Sequence, residues 1–274
     1  MAGHRIPAEL ARSWLLVPAT KPEAFAPVPE DGVDAVIIDI EDAVSPPQKA
    51  AARRSAVDWL NNVGNAWVRL NDATTSFWAE DLEALAACKG LAGVMLAKVE
   101  SGYQIEATAD RLPEGTRILA LIESAMGLEA APEIARASGT FRLAFGSGDF
   151  RRDTGMSDDP AAMAYPRARL VICSRAARLP GPIDGPTVNR NESILRRDSA
   201  LAASMGMTGR LCMHPEQALA VNQGLSPSAD DVVWARDVIT ELGENGEHVR
   251  DGSDKPRLAK AIKIRTLATA FGIG

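Results

Sequence analysis

The chain has 274 residues, 46% of them apolar and 24% charged, so it can bury a full core as one large domain or two smaller ones. Its net charge of −6 argues against a nucleic-acid partner, because phosphate binding needs a basic face. Its three cysteines are far apart in the sequence and indicate neither a disulfide framework nor a zinc site.

No segment has the apolar length of a targeting or membrane-spanning element. Residues 1–12 lack the apolar run of a secretory signal peptide. No later apolar run approaches the roughly 20 residues that cross a bilayer. We therefore expect a cytoplasmic protein with no membrane partner.

Short apolar runs recur along the chain and predict strands. The first, residues 13–18, precedes a segment at 21–30 whose prolines allow only a short or broken helix. The second contains Val36, Ile37 and Ile38, which is typical of a strand buried on both faces of a parallel sheet. The remaining predicted strands are 66–71, 93–97, 117–122, 141–145, 182–184 and 210–213.

Helical patterns lie between these runs. A helix over 46–62 is expected to begin after Ser45 as its N-cap, with prolines in its first turn. The other predicted helices are 76–90, one ending near 111, 132–137, 161–179, 192–205, 232–242 and 257–269.

Alternation of eight strands with helices predicts an α/β fold, a (β/α)₈ TIM barrel with a C-terminal helical extension. A doubly wound open sheet is the alternative, but no G-x-G-x-x-G follows the first strand. We expect the barrel to occupy residues 1–225. Residues 226–274 are expected to form a helical lid on the barrel or on a neighbouring subunit.

Polar residues follow most of the predicted strands. Three carboxylates, Asp39, Glu41 and Asp42, come directly after the second strand. The ends of other strands present Arg69, Asn71, Lys98, Glu123, Asp149, Asp184 and His214, and Lys21 lies near the first strand. The carboxyl ends of barrel strands meet at one mouth, where active sites lie. A helix cap with solvated acids explains any one of them, but the whole set favours a site.

Glu123 and Asp149 come from neighbouring strands and predict a metal site. Oxygen ligands without a histidine or cysteine cluster favour Mg²⁺. Arg69 is then expected to bind the carboxylate of a 2-oxo or 2-hydroxy acid, because its planar guanidinium matches that group. Glu41 and Asp42 would hold metal waters or orient Arg69. The alternative for Glu123 and Asp149 is a favourable charge at a helix start.

Eight motifs follow one another along the chain: Leu15-Leu-Val-Pro-Ala, Ile38-Asp-Ile-Glu-Asp-Ala-Val44, Val68-Arg-Leu-Asn71, Lys98-Val-Glu-Ser101, Leu121-Ile-Glu-Ser124, Phe145-Gly-Ser-Gly-Asp149, Ile183-Asp-Gly185 and Met213-His-Pro-Glu-Gln217. In them the whole chain resembles the citrate lyase β-subunit-like proteins of the HpcH/HpaI aldolase/citrate lyase family. The resemblance implies a TIM barrel, usually trimeric, with Mg²⁺ on Glu123 and Asp149. It also implies that Arg69 contacts the substrate carboxylate and that Glu41 and Asp42 support the metal site.

The resemblance further implies cleavage or formation of a carbon–carbon bond next to a CoA thioester. Members are citryl-, malyl- or citramalyl-CoA lyases, some with malate synthase or thioesterase activity. In several of them an aspartate of the C-terminal lid enters a neighbouring subunit's site, and Asp254 in Gly252-Ser-Asp-Lys-Pro256 is its counterpart here, in a motif two residues shorter. Lys21 and Lys98 are the expected CoA contacts, although prolines replace the usual first helix.

The expected function is therefore a Mg²⁺-dependent, reversible aldol or Claisen-type cleavage of an acyl-CoA by a homotrimer or higher homo-oligomer. Arg69, Gly148 and Asp149 are expected to contact the organic acid, and Asp42, Glu41 and Asp254 to support the chemistry. A CoA thioester hydrolase using the same site and a non-catalytic member that only binds an organic acid are the alternatives.

Overall fold

The structure, a computed structural model, describes residues 6–274, and the chain divides between Val221 and Asn222 into two compact units. No helix in this range is long and apolar enough to span a membrane.

The first unit is a closed barrel of parallel strands in sequence order. The strands are β1 Ser13–Pro18, β2 Ala35–Asp39, β3 Ala66–Leu70, β4 Leu91–Leu96, β5 Ile118–Ile122, β6 Thr140–Phe145, β7 Ile183–Asp184 and β8 Gly209–Cys212. Closure occurs between β1 and β8, where Trp14 lies opposite Leu211. The predicted (β/α)₈ barrel is confirmed.

The helices are α1 Lys49–Asn62, α2 Ser76–Leu85, α3 Gly102–Ala109, α4 Ala125–Ile134, α5 Ser147–Thr154, α6 Ala164–Ala176, α7 Glu192–Ser204, α8 Ala218–Gly224, α9 Ala229–Leu242 and α10 Asp254–Phe271. Between β1 and β2 there are only two short 3₁₀ turns, Pro22–Ala24 and Pro29–Asp31. This confirms that the proline-rich segment forms no regular helix.

Alternate strand residues fill the barrel interior. Every strand contributes to one buried cluster, which includes Trp14, Leu16, Ile37, Trp67, Met95, Leu119, Leu121, Ala144, Ile183 and Leu211. Side chains alternate between the two faces of a strand, so residues two apart lie on the same face. Asp39 therefore follows Ile37 on the face toward the barrel interior, and Glu123 follows Leu121. The period-two pattern therefore places carboxylates at the mouth of the barrel.

A fully buried arginine closes the opposite, amino-terminal end of the barrel. Arg142 of β6 donates hydrogen bonds to the carbonyls of Ala8, Ala11 and Gly181 and to the hydroxyl of Thr208. Burial lowers the pKa of Arg142 from its ordinary value. These bonds tie the chain before β1 to β6 and β8.

Three local features differ from the predicted elements. The segment after β6, where no helix was predicted, forms α5, which begins at Ser147 with Asp149 in its first turn and Arg151 in its last, both favourable to the helix dipole. The helix predicted at 132–137 begins earlier, at Ala125, because the Ser124 hydroxyl accepts the N–H of Gly127. The third concerns the start of the first helix: the Ser45 hydroxyl donates to the Gln48 side chain and does not cap that helix.

The second unit contains α9 and α10. Their shared core is formed by Ala235, Val238, Leu242, Leu258, Ala261 and Ile264. Ser228 caps α9 by accepting the N–H of Asp231 at 3.1 Å.

Candidate active site

A buried ion pair joins the carboxyl ends of β2 and β3. Asp39 and Arg69 are register partners, and Nε and Nη2 of Arg69 donate to Oδ1 and Oδ2 of Asp39 at 2.8 and 2.5 Å. The third nitrogen, Nη1, lies 3.4 Å from Oε2 of Glu41. Burial disfavours the guanidinium charge, but Asp39 and Glu41 more than offset it and raise the pKa of Arg69. Asp39, rather than Asp42, therefore orients Arg69.

Lys98 holds the acidic turn after β2. Its Nζ lies 2.5 Å from Oε1 of Glu41 and 3.5 Å from Oδ1 of Asp42. Burial raises the pKa of Glu41, whereas the hydrogen bond to Glu41 and the charges of Arg69 and Lys98 outweigh burial at Asp42 and lower its pKa. Glu41 is buried and Asp42 half exposed, so Asp42 is the acid of this turn that water reaches.

Glu123 follows β5 at the same mouth and is 4% exposed. Its Oε1 accepts the backbone N–H of Lys98 at 2.8 Å. Burial and the nearby charges of Asp149 and Glu41 raise the pKa of Glu123 to about 8, although Arg69 opposes this shift. Gly146 packs against this carboxylate so closely that an added Cβ would lie 2.5 Å from Oε2.

Asp149 reaches the same place from the first turn of α5. Its Oδ1 lies 3.0 Å from Nη1 of Arg152, and its side chain is 23% exposed. The negative charge of Asp149 contributes to raising the pKa of Glu123, and that of Glu123 contributes to raising the pKa of Arg69. The structure thus brings the three predicted residues to one mouth.

The donor set at this mouth fits a hard divalent cation. Oε2 of Glu123 and Oδ2 of Asp149 accept no hydrogen bond from residues 6–274. Two buried or half-buried carboxylates without a compensating protein cation on those oxygens are costly unless a cation joins them. Two carboxylates suit Mg²⁺, since it takes few protein ligands and keeps waters. No group of three His, Cys, Asp or Glu side chains that could hold a metal occurs within residues 6–274.

Lys49 is a buried residue of the site region that the sequence did not indicate. Its Nζ donates to the carbonyls of Ile40 and Glu41 at 2.9 and 2.6 Å and to Oδ1 of Asn71 at 2.5 Å. Burial lowers its pKa. A lysine in the first turn of an amphipathic helix is normally solvated, so no local pattern distinguishes it. Here it fixes the turn that carries Glu41.

The remaining predicted residues have different surroundings. Gly148 has open space beside it, since an added Cβ would have no neighbour within 4 Å among residues 6–274. Lys21 is exposed. Asp184 is fully buried in ion pairs with Arg167 and Arg210, which is a structural role.

His214 and Asp254 both lie at helix starts. His214 is the N-cap of a 3₁₀ turn, and its backbone N–H donates to Gln217. Asp254 begins α10, and its carboxylate accepts the backbone N–H and Nε–H of Arg250 and lies 3.6 Å from Arg257. These bonds give Asp254 a structural role inside the C-terminal unit, and its catalytic role stays a prediction.

Two family models match this chain. The model of the HpcH/HpaI aldolase/citrate lyase family matches residues 12–215. The model of the HpcH/HpaI aldolase C-terminal domain matches residues 230–272.

Three similar proteins have informative names. The human mitochondrial citramalyl-CoA lyase is 30% identical, covering 95% of this chain and 86% of its own. A (3S)-malyl-CoA thioesterase of Cereibacter sphaeroides is 31% identical, covering 96% of this chain and 95% of its own. The crystal structure of CitE from Mycobacterium tuberculosis with magnesium, acetoacetate and coenzyme A has a TM-score of 0.81, with 29% identity over 95% of this chain and 99% of that one.

Proposed function

Because the chain belongs to the HpcH/HpaI aldolase/citrate lyase family, we propose that it is a Mg²⁺-dependent carbon–carbon lyase. Its substrate would be a CoA thioester of a hydroxy acid of the citryl-, malyl- or citramalyl-CoA type. It releases, or in reverse condenses, a small 2-oxo acid and an acyl-CoA. The observation that carries the proposal is the pair of carboxylates, Glu123 and Asp149, near the guanidinium of Arg69. Each carboxylate has one oxygen that accepts no hydrogen bond from residues 6–274.

Glu123 and Asp149 hold the metal in this proposal. When bound, Mg²⁺ supplies Lewis acidity at the oxygen on C2 of the acid. Glu123 must be ionised to bind it, so metal binding displaces the proton that burial favours. Gly146 leaves the carboxylate the space that a side chain would fill.

Arg69 binds the substrate carboxylate and stabilises the negative charge that develops on the CoA fragment. Its Nε and Nη2 are engaged by Asp39, whereas Nη1 lies 3.4 Å from Oε2 of Glu41 without a hydrogen bond to it, so Nη1 is the nitrogen left to donate to a ligand. A guanidinium anchored in this way does not reorganise during the reaction, which makes it an effective electrostatic group.

Cleavage requires two proton movements. The C2 hydroxyl of the substrate loses its proton as the carbon–carbon bond breaks, and the resulting enolate of the acyl-CoA gains one at its α-carbon. Asp42, half exposed beside Glu41, can exchange protons through water. Asp254 of a partner subunit is the second candidate, which requires that it leave Arg250.

Replacement of Glu123 by Ala tests the proposal. The variant should lose both Mg²⁺ binding, measured by calorimetry, and lyase turnover, measured over malyl-, citramalyl- and citryl-CoA. Full activity of the wild-type protein in the presence of a chelator would overturn the metal-dependent mechanism.

A thioesterase is the second candidate, and the 31% identical malyl-CoA thioesterase favours it. Water would then attack the thioester carbonyl at the same site. Release of free CoA together with the intact hydroxy acid, and without a 2-oxo acid, identifies this reaction. Thermal stabilisation by an organic acid without turnover of any ester identifies a member that only binds its ligand.

Lys21 and Lys98 remain the proposed contacts for the CoA moiety: Lys21 is exposed near β1, and Lys98 is partly exposed beside Glu41 and Asp42. A homotrimer, in which residues 226–274 act as a lid on a neighbouring subunit, and a cytoplasmic location also remain proposals. Light scattering on the purified protein tests the trimer.

A further inference from the structure

An arginine-rich cavity of about 400 Å³ lies beside the candidate active site. It is bounded by α5, α6, α7 and the loop between β7 and α7. Four arginines line it, Arg151, Arg167, Arg197 and Arg210, together with the apolar side chains of Met163, Ile194 and Leu201. No role in the proposed lyase reaction falls on any of them.

The cavity is separate from the metal site. Ser147 and Arg151, one turn apart on α5, line the cavity. At about 100° per residue, Asp149 lies about 200° around the helix from Ser147, on the opposite face. The same helix therefore presents Asp149 to one site and Arg151 to the other.

Arg167 and Arg210 form the buried side of the cavity. Both bind Asp184, through Nε of Arg167 and Nη1 of Arg210, each within 2.9 Å. Nε of Arg210 is buried and has no hydrogen-bond partner within residues 6–274. Arg210 also donates to the carbonyl of Asp198 and to the hydroxyl of Thr187 through its other nitrogens. Because the two guanidiniums share one fully buried carboxylate, this side of the cavity carries an excess of positive charge.

Arg151 and Arg197 lie on the solvent side, on α5 and α7. Arg151 is 3.4 Å from the exposed Asp158, and Arg197 is 3.1 Å from Asp198, its neighbour in sequence. Each pair has one exposed partner, Asp158 in the first and Arg197 in the second, so solvent screens both pairs and a ligand can displace them. Counting Asp184, four guanidiniums face three carboxylates around this cavity.

We propose that this cavity binds the phosphate group of a small phosphorylated molecule. Cations that approach from several elements suit a tetrahedral anion with several charged oxygens better than a single planar carboxylate. The amide of Asn189, also in the lining, adds a neutral donor. The apolar part of the lining accommodates the organic body. Loops near strands 7 and 8 are a frequent phosphate site in TIM barrels.

The test is calorimetric titration of the full-length protein with inorganic phosphate and with a sugar phosphate. Arg197→Gln and the double variant Arg151→Gln/Arg197→Gln should bind each about tenfold or more weakly than wild type, since each loses a charge-assisted hydrogen bond. Arg196→Gln is the matched control, because Arg196 is the preceding residue on α7, pairs with Glu192 and does not line the cavity. It should bind like wild type.

Two results would overturn the proposal: no saturable phosphate binding by the folded wild-type protein, or equal losses in Arg196→Gln and Arg197→Gln. Competition identifies the source of the phosphate. If CoA displaces inorganic phosphate and dephospho-CoA does so less well, the group is the 3′-phosphate of a CoA ester. If CoA and the sugar phosphate bind together, the occupant is a separate phosphorylated molecule. Neither readout depends on lyase activity.

Discussion

The backbone N–H of Lys98 donates a 2.8 Å hydrogen bond to Oε1 of Glu123. Lys98 adopts a left-handed conformation, with φ of +52°, which is unusual for a residue with a side chain. This conformation lets one residue hold Glu123 through its main chain and Glu41 through its ammonium group. Strain of this kind concentrates at functional sites.

Lys98→Met should lower turnover at least about tenfold, because it leaves the buried Glu41 without its closest cation. Lys98→Gly should lower turnover equally but retain up to about 1 kcal/mol more stability, since glycine adopts positive φ without strain. Kinetics and urea denaturation measure the two effects. Lys89→Met, at an exposed position, is the control. Wild-type turnover in Lys98→Met would contradict the assigned role.

Arg69→Lys keeps the charge but loses the two-point contact with Asp39. We expect kcat/KM for the CoA ester to fall by about two orders of magnitude or more. The variant should also unfold more easily, because Asp39 stays buried with an incomplete partner. Arg54→Lys, on the exposed part of α1, should behave like wild type. Unchanged kcat/KM would remove Arg69 from the mechanism.

The metal-free protein should lose stability as pH rises. The pKa of Glu123 is about 8 in the folded chain against an ordinary value of 4.5, so folding favours its protonated form. That contribution is fully present below pH 4.5 and is lost as pH rises to 8. Each tenfold difference in the acidity of this carboxyl between the folded and unfolded chain corresponds to about 1.4 kcal/mol. The raised pKa of Glu41 acts in the same direction.

Mg²⁺ reverses this trend, because it binds the ionised carboxylate. The increase in Tm caused by Mg²⁺ should therefore grow between pH 4.5 and pH 8. Glu123→Gln should show no such increase at any pH. A Mg²⁺ effect that is independent of pH, or that survives in Glu123→Gln, would place the metal elsewhere.

Arg142→Met should destabilise the barrel by about 3 kcal/mol or more, because it leaves several buried acceptors without a donor. Metal binding by the folded variant should not change, since Arg142 lies at the end opposite the site. Arg117→Met removes a half-exposed ion pair with Glu9 and should cost less than about 1 kcal/mol. Equal costs for the two substitutions, measured by chemical denaturation, would contradict this assignment.

The order of the strands and the polar character of their carboxyl ends could be predicted from the sequence. Both follow from local patterns, since β-branched apolar runs form buried strands and alternation carries the inward phase to residues such as Asp39 and Glu123. The helix α5 could not be predicted this way. Glycine has a low helix propensity, so Gly146 and Gly148, two residues apart, give this segment no helical pattern.

The pairing of charges was decided only by the tertiary structure. Arg69 binds an aspartate 30 residues away, and Lys98 binds a glutamate 57 residues away. Such partners depend on strand register and on the direction of each side chain, which no local pattern contains. Lys49, buried between two strand ends, and the four arginines around one cavity meet for the same reason. The sequence determined which residues end the strands. The order and register of the strands in the barrel decided which of these residues form ion pairs, because they bring strand ends that are distant in the sequence to within hydrogen-bonding distance.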